Sequence, residues 1–286
     1  MDAPGALGVI AGGGRLPLVL ADYARDAGLP YYVIRLKGSA DAAMEAHPGE
    51  ERRIDALGGT IKALRAAGCD RIVLAGIVAR PDFTSLRPDW RGVQALPRIV
   101  KAAKQGDDAL LRAVTAEFER EGFAVVGADE VLEGLRAAEG AIAGAAPSEE
   151  AVGDIARARD LLAAISPFDV GQGVVVCNGL VLAVEAQEGT DRMLARVAEL
   201  SRDIRGAPDD RRGVLVKQLK AGQDRRIDLP TIGLATVRAA DAAGLAGIAV
   251  QAGACIVLDR DEVIAAANAA GLFIWGFGDG PDGRAG

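Results

Sequence analysis

A single histidine, His47, is present in the 286 residues, set in the polar run EAHPGEERR. A Ser–His–Asp triad, a His-rich zinc site and a two-metal phosphatase site with several histidine ligands are therefore hard to build. Any catalysis must rest on Asp, Glu, Lys, Arg and backbone amides, and His47 itself reads as an ordinary surface residue. Cysteine is nearly as scarce. Cys69, Cys177 and Cys255 are far apart, odd in number and set in apolar surroundings. That argues against a disulfide framework or a zinc site and fits a reducing compartment. Aromatic residues make up 4% of the chain, so Ala, Val, Leu and Ile must do the packing. Long apolar runs are missing too. The most apolar stretch, 244–258, is too short and too rich in Gly to span a bilayer. The start, MDAPGALGVIAGGG, has no basic n-region and no signal-type apolar stretch, so a cytoplasmic location is expected. Positive charge is in deficit, with 33 Lys and Arg against 40 Asp and Glu and a net charge of −7. This argues against nucleic-acid binding, which needs a basic footprint. It also argues against adhesion of the whole surface to anionic membranes, but not against a local basic patch.

What is present is a rhythm of strands and helices. Residues 7–11 form a short apolar run, Gly12, Gly13 and Gly14 a turn, and Leu16, Val19, Leu20, Tyr23 and Ala27 recur at helical spacing. Strands follow at 31–36, 71–75 and 123–126, with helices over 54–67 and from Asp107 to Gly122. Alternation of this kind predicts a parallel sheet covered on both faces, so residues 1–132 read as a Rossmann-like domain. The small and polar stretch EGAIAGAAPSEE, within 133–150, reads as a linker. Residues 151–286 read as an α+β domain. Asn178-Gly179 joins two apolar runs as a hairpin turn, because a type I′ turn needs positive φ at both positions. Helices are expected over 191–203 and from Asp261, as its cap, to Gly271, and strands at 213–219 and 272–276. The fold class is thus α/β, a Rossmann-like parallel sheet followed by an α+β domain.

Several constellations carry chemistry. The turn Gly12-Gly13-Gly14 enters a helix and would offer Gly13 and Gly14 amides to a phosphate. The dinucleotide fingerprint fails, with Pro17 where a third Gly belongs and Arg35 where an acid is usual. A tight turn without ligand is the other reading. The segment GIVAR at the end of the third strand places Gly76 and Arg80 where open sheets bind ligands, Arg80 as phosphate partner or as a surface arginine. Phe83, Arg87, Trp90, Arg91, Arg98, Lys101 and Lys104 form a basic region with two aromatics, either a lipid-contacting surface or, as preferred, a solvated helix face. Asp107 reads as an N-cap and Asp108 as a first-turn acid, with a metal pair as the second reading. The hairpin brings DVGQG, with Gln172, beside EAQEGTD. There Thr190 reads as an N-cap, and Glu185, Glu188 and Asp191 suggest metal affinity or simple solvation. The strongest block is KQLKAGQDRRID, residues 217–228, where cations suit phosphate oxygens and an Asp suits Mg²⁺ or a water.

The blocks IAGGGRLP, GDDALLR, DVGQGVVV, VEAQEGTDRML and KAGQDRRIDLPTIG, in this order, resemble the LpxI family of UDP-2,3-diacylglucosamine pyrophosphatases of lipid A biosynthesis. The resemblance covers residues 7–277. It implies hydrolysis of UDP-2,3-diacylglucosamine to UMP and 2,3-diacylglucosamine 1-phosphate with Mg²⁺ or a similar cation, and a lipid substrate held between the two domains. It implies Asp224 as the essential carboxylate, organising the metal or the attacking water, with Asp191 as a further metal ligand. Lys217, Arg225 and Arg226 would stabilise the diphosphate. Gly13, Gly14, Gly76, Arg80, Gln172, Thr190 and Gln223 would contact phosphate or sugar. Transient peripheral contact with the inner-membrane surface is expected, and a homodimer is the default for the assembly. Two other classes stay open: a non-catalytic nucleotide-sugar or lipid-binding protein, and an NADP-linked oxidoreductase suggested by the first βαβ unit and Arg35.

Overall fold

The computed structural model describes residues 5–278. The chain forms two compact units. The first comprises residues up to Glu133 together with Asp224–Asp228, and the second Gly134–Gln223 with the chain from Leu229 onward.

In the first unit, strands β1 (Ala6–Ala11), β2 (Tyr31–Leu36), β3 (Gly49–Arg52), β4 (Cys69–Ala75) and β5 (Ala124–Val125) form a parallel sheet in the order β3-β2-β1-β4-β5. Helices α1 (Arg15–Asp26), α2 (Leu57–Ala66), α3 (Trp90–Ala103), α4 (Asp107–Arg120) and the short α5 (Ala128–Val131) complete it. Every residue of β1 is buried, as expected of a central parallel strand covered on both faces. Ile10, Ile34, Ile61, Leu64, Ile72 and Phe118 share one core. The strand β3 has the polar sequence GEER and no apolar alternation. Its place is set by register alone, Val33 opposite Gly49, at the sheet edge, where charged side chains are tolerated. His47, expected on the surface, is 4% exposed. The chain entering β3 folds it inward against Tyr31, whose hydroxyl is 2.8 Å from His47 Nδ1, and Asp22 lies 3.6 Å from Nε2. Asp107 is not a cap: Gly106 is the N-cap of α4, and Asp107 and Asp108 both occupy its first turn.

The second unit holds β6 (Gly140–Ala143), α6 (Glu149–Ile165), β7 (Gly173–Cys177), β8 (Leu180–Val184), α7 (Gly189–Ala198), α8 (Arg202–Arg205), β9 (Gly206–Ala207), β10 (Asp210–Arg211) and β11 (Val214–Lys217). It continues with β12 (Thr231–Ile232), α9 (Leu234–Ala242), β13 (Gly247–Gln251), β14 (Ile256–Val257), α10 (Arg260–Ala270) and β15 (Phe273–Phe277). The main sheet runs β6-β15-β13-β11-β7-β8, with β15, β13 and β11 parallel at its centre and the β7–β8 hairpin at one edge. Asn178 and Gly179 have φ of 49° and 76°, the turn the Asn-Gly pair requires. Their amides donate to the buried Asp154 carboxylate at 3.0 and 2.7 Å. Alternate residues of one strand serve different cores. Val174, Val176, Val214 and Val216 pack with Ile155, Ala158 and Leu162 of α6, while Val175 and Leu215 pack with Met193, Val237 and Val263 of α7, α9 and α10. A sheet covered on both faces explains unbroken apolar runs such as GVVVC.

The stretch 133–150 is not a plain linker, since β6 pairs with β15 and α6 begins at Glu149. The helix was legible. Ser148 caps it by accepting from the Ala151 amide at 3.3 Å, Glu149 and Glu150 complement its dipole, and Ala151, Ile155, Ala158 and Leu162 recur on its buried face. The helix expected over 191–203 is two helices, α7 and α8, and the cap of α10 is Asp259 rather than Asp261. Among the described residues no helix is long and apolar enough to cross a membrane.

Candidate functional site

In the second unit the charged loops meet at the carboxyl end of β11. Lys217 is the last residue of that strand and only 5% exposed. Its ammonium donates to Thr190 Oγ1 at 2.7 Å and to the Thr231 carbonyl at 3.2 Å. The Thr190 hydroxyl in turn donates to Glu185 Oε1 at 2.7 Å. Thr190 is therefore not the cap of α7, a place held by Glu188; it joins a buried cation to a buried carboxylate. Glu185 Oε2 accepts from the Gln172 amide at 3.3 Å. A Cβ on Gly173 would stand 2.6 Å from that oxygen, and one on Gly171, at φ 36°, 2.0 Å from the Glu185 carbonyl. The glycines of DVGQG thus let the loop wrap around Glu185.

The loop after β11 is pinned by the same neighbourhood. The Gln218 amide donates to the Gln172 carbonyl at 3.0 Å and the Leu219 amide to Gln251 Oε1 at 3.1 Å. Lys220 pairs with Asp169, the Ala221 amide donates to Ser166 Oγ at 2.7 Å, and the Lys220 amide donates to the Gln223 side chain at 3.2 Å. Gln172, Thr190, Lys217 and Gln223 are brought together. Glu185, expected to have metal affinity or be solvated, is buried among them, and Asp169 and Gln251 join them as residues the sequence does not single out; pairing of β11 with both β7 and β13 is what gathers them. Asp191 is exposed in the first turn of α7. Cys255 is fully buried, and burial pushes its thiol up to about 12. Burial likewise raises Cys69, to about 11. These thiols are packing residues rather than nucleophiles.

In the first unit, Asp224 and Arg226 form a two-point pair. Arg226 Nε donates to Asp224 Oδ1 at 3.0 Å and Nη2 to Oδ2 at 2.7 Å, and the Arg226 amide also donates to Oδ1 at 3.0 Å. Arg226 further donates to Glu119 Oε1 at 2.8 Å and to the Val125 carbonyl at 3.5 Å. The hydrogen bonds from Arg226 hold the Asp224 carboxyl below its usual range, against the opposing effect of partial burial. Arg225 stands beside them in the same segment, exposed at the surface.

The Gly-rich turn is built differently from a free anion cradle. The Gly13 amide donates to the Ile77 carbonyl and the Ile77 amide to the Gly13 carbonyl, each at 2.8 Å, and the Gly14 amide donates to Asp41 Oδ2 at 2.8 Å. A Cβ on Gly12 would be 2.6 Å from the Ile77 carbonyl oxygen, and one on Gly76 2.5 Å from that of Gly13. Here glycine is required for the close approach of two loops. Arg80 bridges α3 and α4, donating to the Ala103 carbonyl and to Asp107 at 3.0 Å. Arg35 spends its guanidinium on the carbonyls of Met44, His47 and Gly49 at 3.3, 3.2 and 2.8 Å, so it is occupied where an NADP site would need it. Among the described residues no three His, Cys, Asp or Glu side chains gather as a ready-made metal set.

Cations and carboxylates are fixed at the carboxyl end of β11, every thiol is buried and the one histidine is packed inward in an α/β protein. Residues 6–135 match the LpxI N-terminal domain and residues 138–275 the LpxI C-terminal domain. The chain is 51% identical over 270 residues to the UDP-2,3-diacylglucosamine pyrophosphatase LpxI of Caulobacter vibrioides, covering 94% of this chain and 96% of that one. The protein belongs to the LpxI family.

Proposed function

We propose that this protein hydrolyses the diphosphate of UDP-2,3-diacylglucosamine, releasing UMP and 2,3-diacylglucosamine 1-phosphate. The observation that carries the reading is the near full-length identity with the Caulobacter pyrophosphatase. The geometry supports it. Phosphoryl transfer needs positioning and charge neutralisation more than covalent help, and the chain supplies lysines, arginines and carboxylates without an available histidine or thiol.

Asp224, kept ionised by Arg226, is the carboxylate that accepts a proton from the attacking water or orients a cation. Lys217, held by Thr190 and Glu185, and Arg225 and Arg226 stabilise the diphosphate charge. Gln172 and Gln223 orient the polar part of the substrate. Arg80 reaches the ligand only by leaving Asp107. Mg²⁺ or a similar cation would be held by the diphosphate together with one carboxylate, Asp224 or Asp191. When bound, it neutralises phosphate oxygens. A diacylated substrate also implies that the protein works in peripheral contact with the inner-membrane surface.

The test is incubation of the purified protein with UDP-2,3-diacylglucosamine in detergent micelles, with Mg²⁺ and with EDTA. Metal-dependent appearance of UMP and the 1-phosphate is expected. Tight binding of intact substrate with no turnover in any divalent cation would overturn the hydrolase reading in favour of a binding protein.

A further inference from the structure

We propose that the exposed stripe of α3 is the surface by which this protein docks on anionic phospholipid. Along α3, Trp90, Val93, Pro97 and Lys101 recur at three- and four-residue spacing, with Lys104 at its C-cap, so they share one face. Trp90 is 74% exposed and Val93 49%. An indole and a valine left in water at one end of a helix, with lysines at the other, is the pattern of an interfacial helix. Tryptophan in particular favours the headgroup level, where its ring is buried and its N–H stays hydrated.

The charge of the stripe selects the partner. Residues 87–104 carry Arg87, Arg91, Arg98, Lys101 and Lys104 against one acid, Asp89, in a chain of net charge −7. Asp89 is consumed by the amides of Gly58, Gly59 and Gly92 at 3.1, 2.9 and 2.9 Å. Arg91 and Arg98 turn aside to Glu121 and Glu117 at 2.6 and 2.8 Å, whereas Lys101 and Lys104 are exposed and form no ion pair among the described residues. Local positive charge on an otherwise acidic protein orients this face toward anionic headgroups. Pro97 has no N–H to give the Val93 carbonyl, so an acceptor on this face must stay hydrated. That sets the depth at the headgroup region rather than in the hydrocarbon.

The proposal rests on the reading of the substrate as a diacylated lipid, and its test is independent of catalysis. The chain has two tryptophans, so a Trp275→Phe background leaves Trp90 as the sole indole. With vesicles of phosphatidylcholine and phosphatidylglycerol, Trp90 emission should shift to shorter wavelength and the protein should sediment with the lipid. Pure phosphatidylcholine should give neither. Lys101→Glu with Lys104→Glu should weaken partitioning at least ~25-fold, taking about fivefold for each lysine near the surface. Trp90→Ser with Val93→Ser should abolish sedimentation. Both double variants should hydrolyse micelle-dispersed substrate at the parent rate, which also shows that they fold. Vesicle binding unchanged in both double variants, or no binding by a protein that turns over micellar substrate, would overturn the proposal. Loss of turnover with the Trp90 shift intact would instead count against the functional reading alone.

Discussion

Arg226 grips Asp224 through two guanidinium nitrogens, at 3.0 and 2.7 Å, while its third nitrogen reaches Glu119 at 2.8 Å. A bidentate pair of this kind orients the carboxylate as well as keeping it charged. Truncating Asp224 leaves the arginine its second carboxylate, so the fold should survive. Asp224→Ala is expected to lower kcat by ~10²–10⁴-fold, the range for loss of a key electrostatic or acid–base group, with an unchanged circular dichroism spectrum. Near-parental turnover would remove Asp224 from the mechanism.

The same pair predicts a pH profile. Because Arg226 depresses Asp224, the carboxylate stays ionised well below neutrality, and activity should fall only as the pH drops below the ordinary carboxylate range. In Arg226→Gln the main depressing influence is gone, so the acid limb of kcat should move up toward about pH 4. An acid limb at the same pH in both proteins would assign it to another group.

Thr190 tests whether the buried chain from Lys217 to Glu185 matters. Thr190→Val keeps the shape and removes the hydroxyl that both charges use. Leaving buried polar groups short of a partner costs about 1–3 kcal/mol, readable as a lower urea midpoint, and turnover should fall with it. Thr190→Ser should restore both. A valine variant of parental stability would show that the ammonium and carboxylate find other partners.

Gly173 reports on the position of Glu185. A methyl there would stand 2.6 Å from Glu185 Oε2, so Gly173→Ala must displace the carboxylate. The expected cost is about 1–3 kcal/mol for a forced shift in a packed site, together with reduced turnover. Gly14→Ala is a contrasting case. Space is open around its Cβ, and its penalty comes only from φ 89°.

His47 gives a stability signature that owes nothing to the site. Burial lowers its pKa, only partly offset by Asp22, so the unfolded chain binds the proton more readily than the native protein. Stability should hold above the ordinary value of about 6.5 and decline as the pH falls through it toward the lower native value. His47→Gln should flatten that part of the melting-temperature curve. An identical slope in the variant would mean that carboxylates account for it.

The local syntax of the chain was readable. The run into Gly12-Gly13-Gly14 and out along α1, and the Asn178-Gly179 turn, follow from φ requirements and side-chain periodicity, which act over a few residues. The composition also narrows the chemistry, since one histidine and three apolar-flanked cysteines point to charge as the expected means of handling a ligand. The α6 helix is signalled by Ser148 and the spacing that follows it, although the small residues ahead of it read as a linker. Other features depended on partners far along the chain. Nothing near His47 in sequence says that Tyr31 will draw it into the core, and nothing near Gly13 says that Ile77 will take its amide. Thr190 reads as a cap until Lys217 arrives through β11, because hydrogen-bond partners are chosen by strand order and not by neighbours in sequence. The sequence by itself therefore determined which side chains and turns were available, and only the tertiary structure decided which of them were consumed in holding others in place.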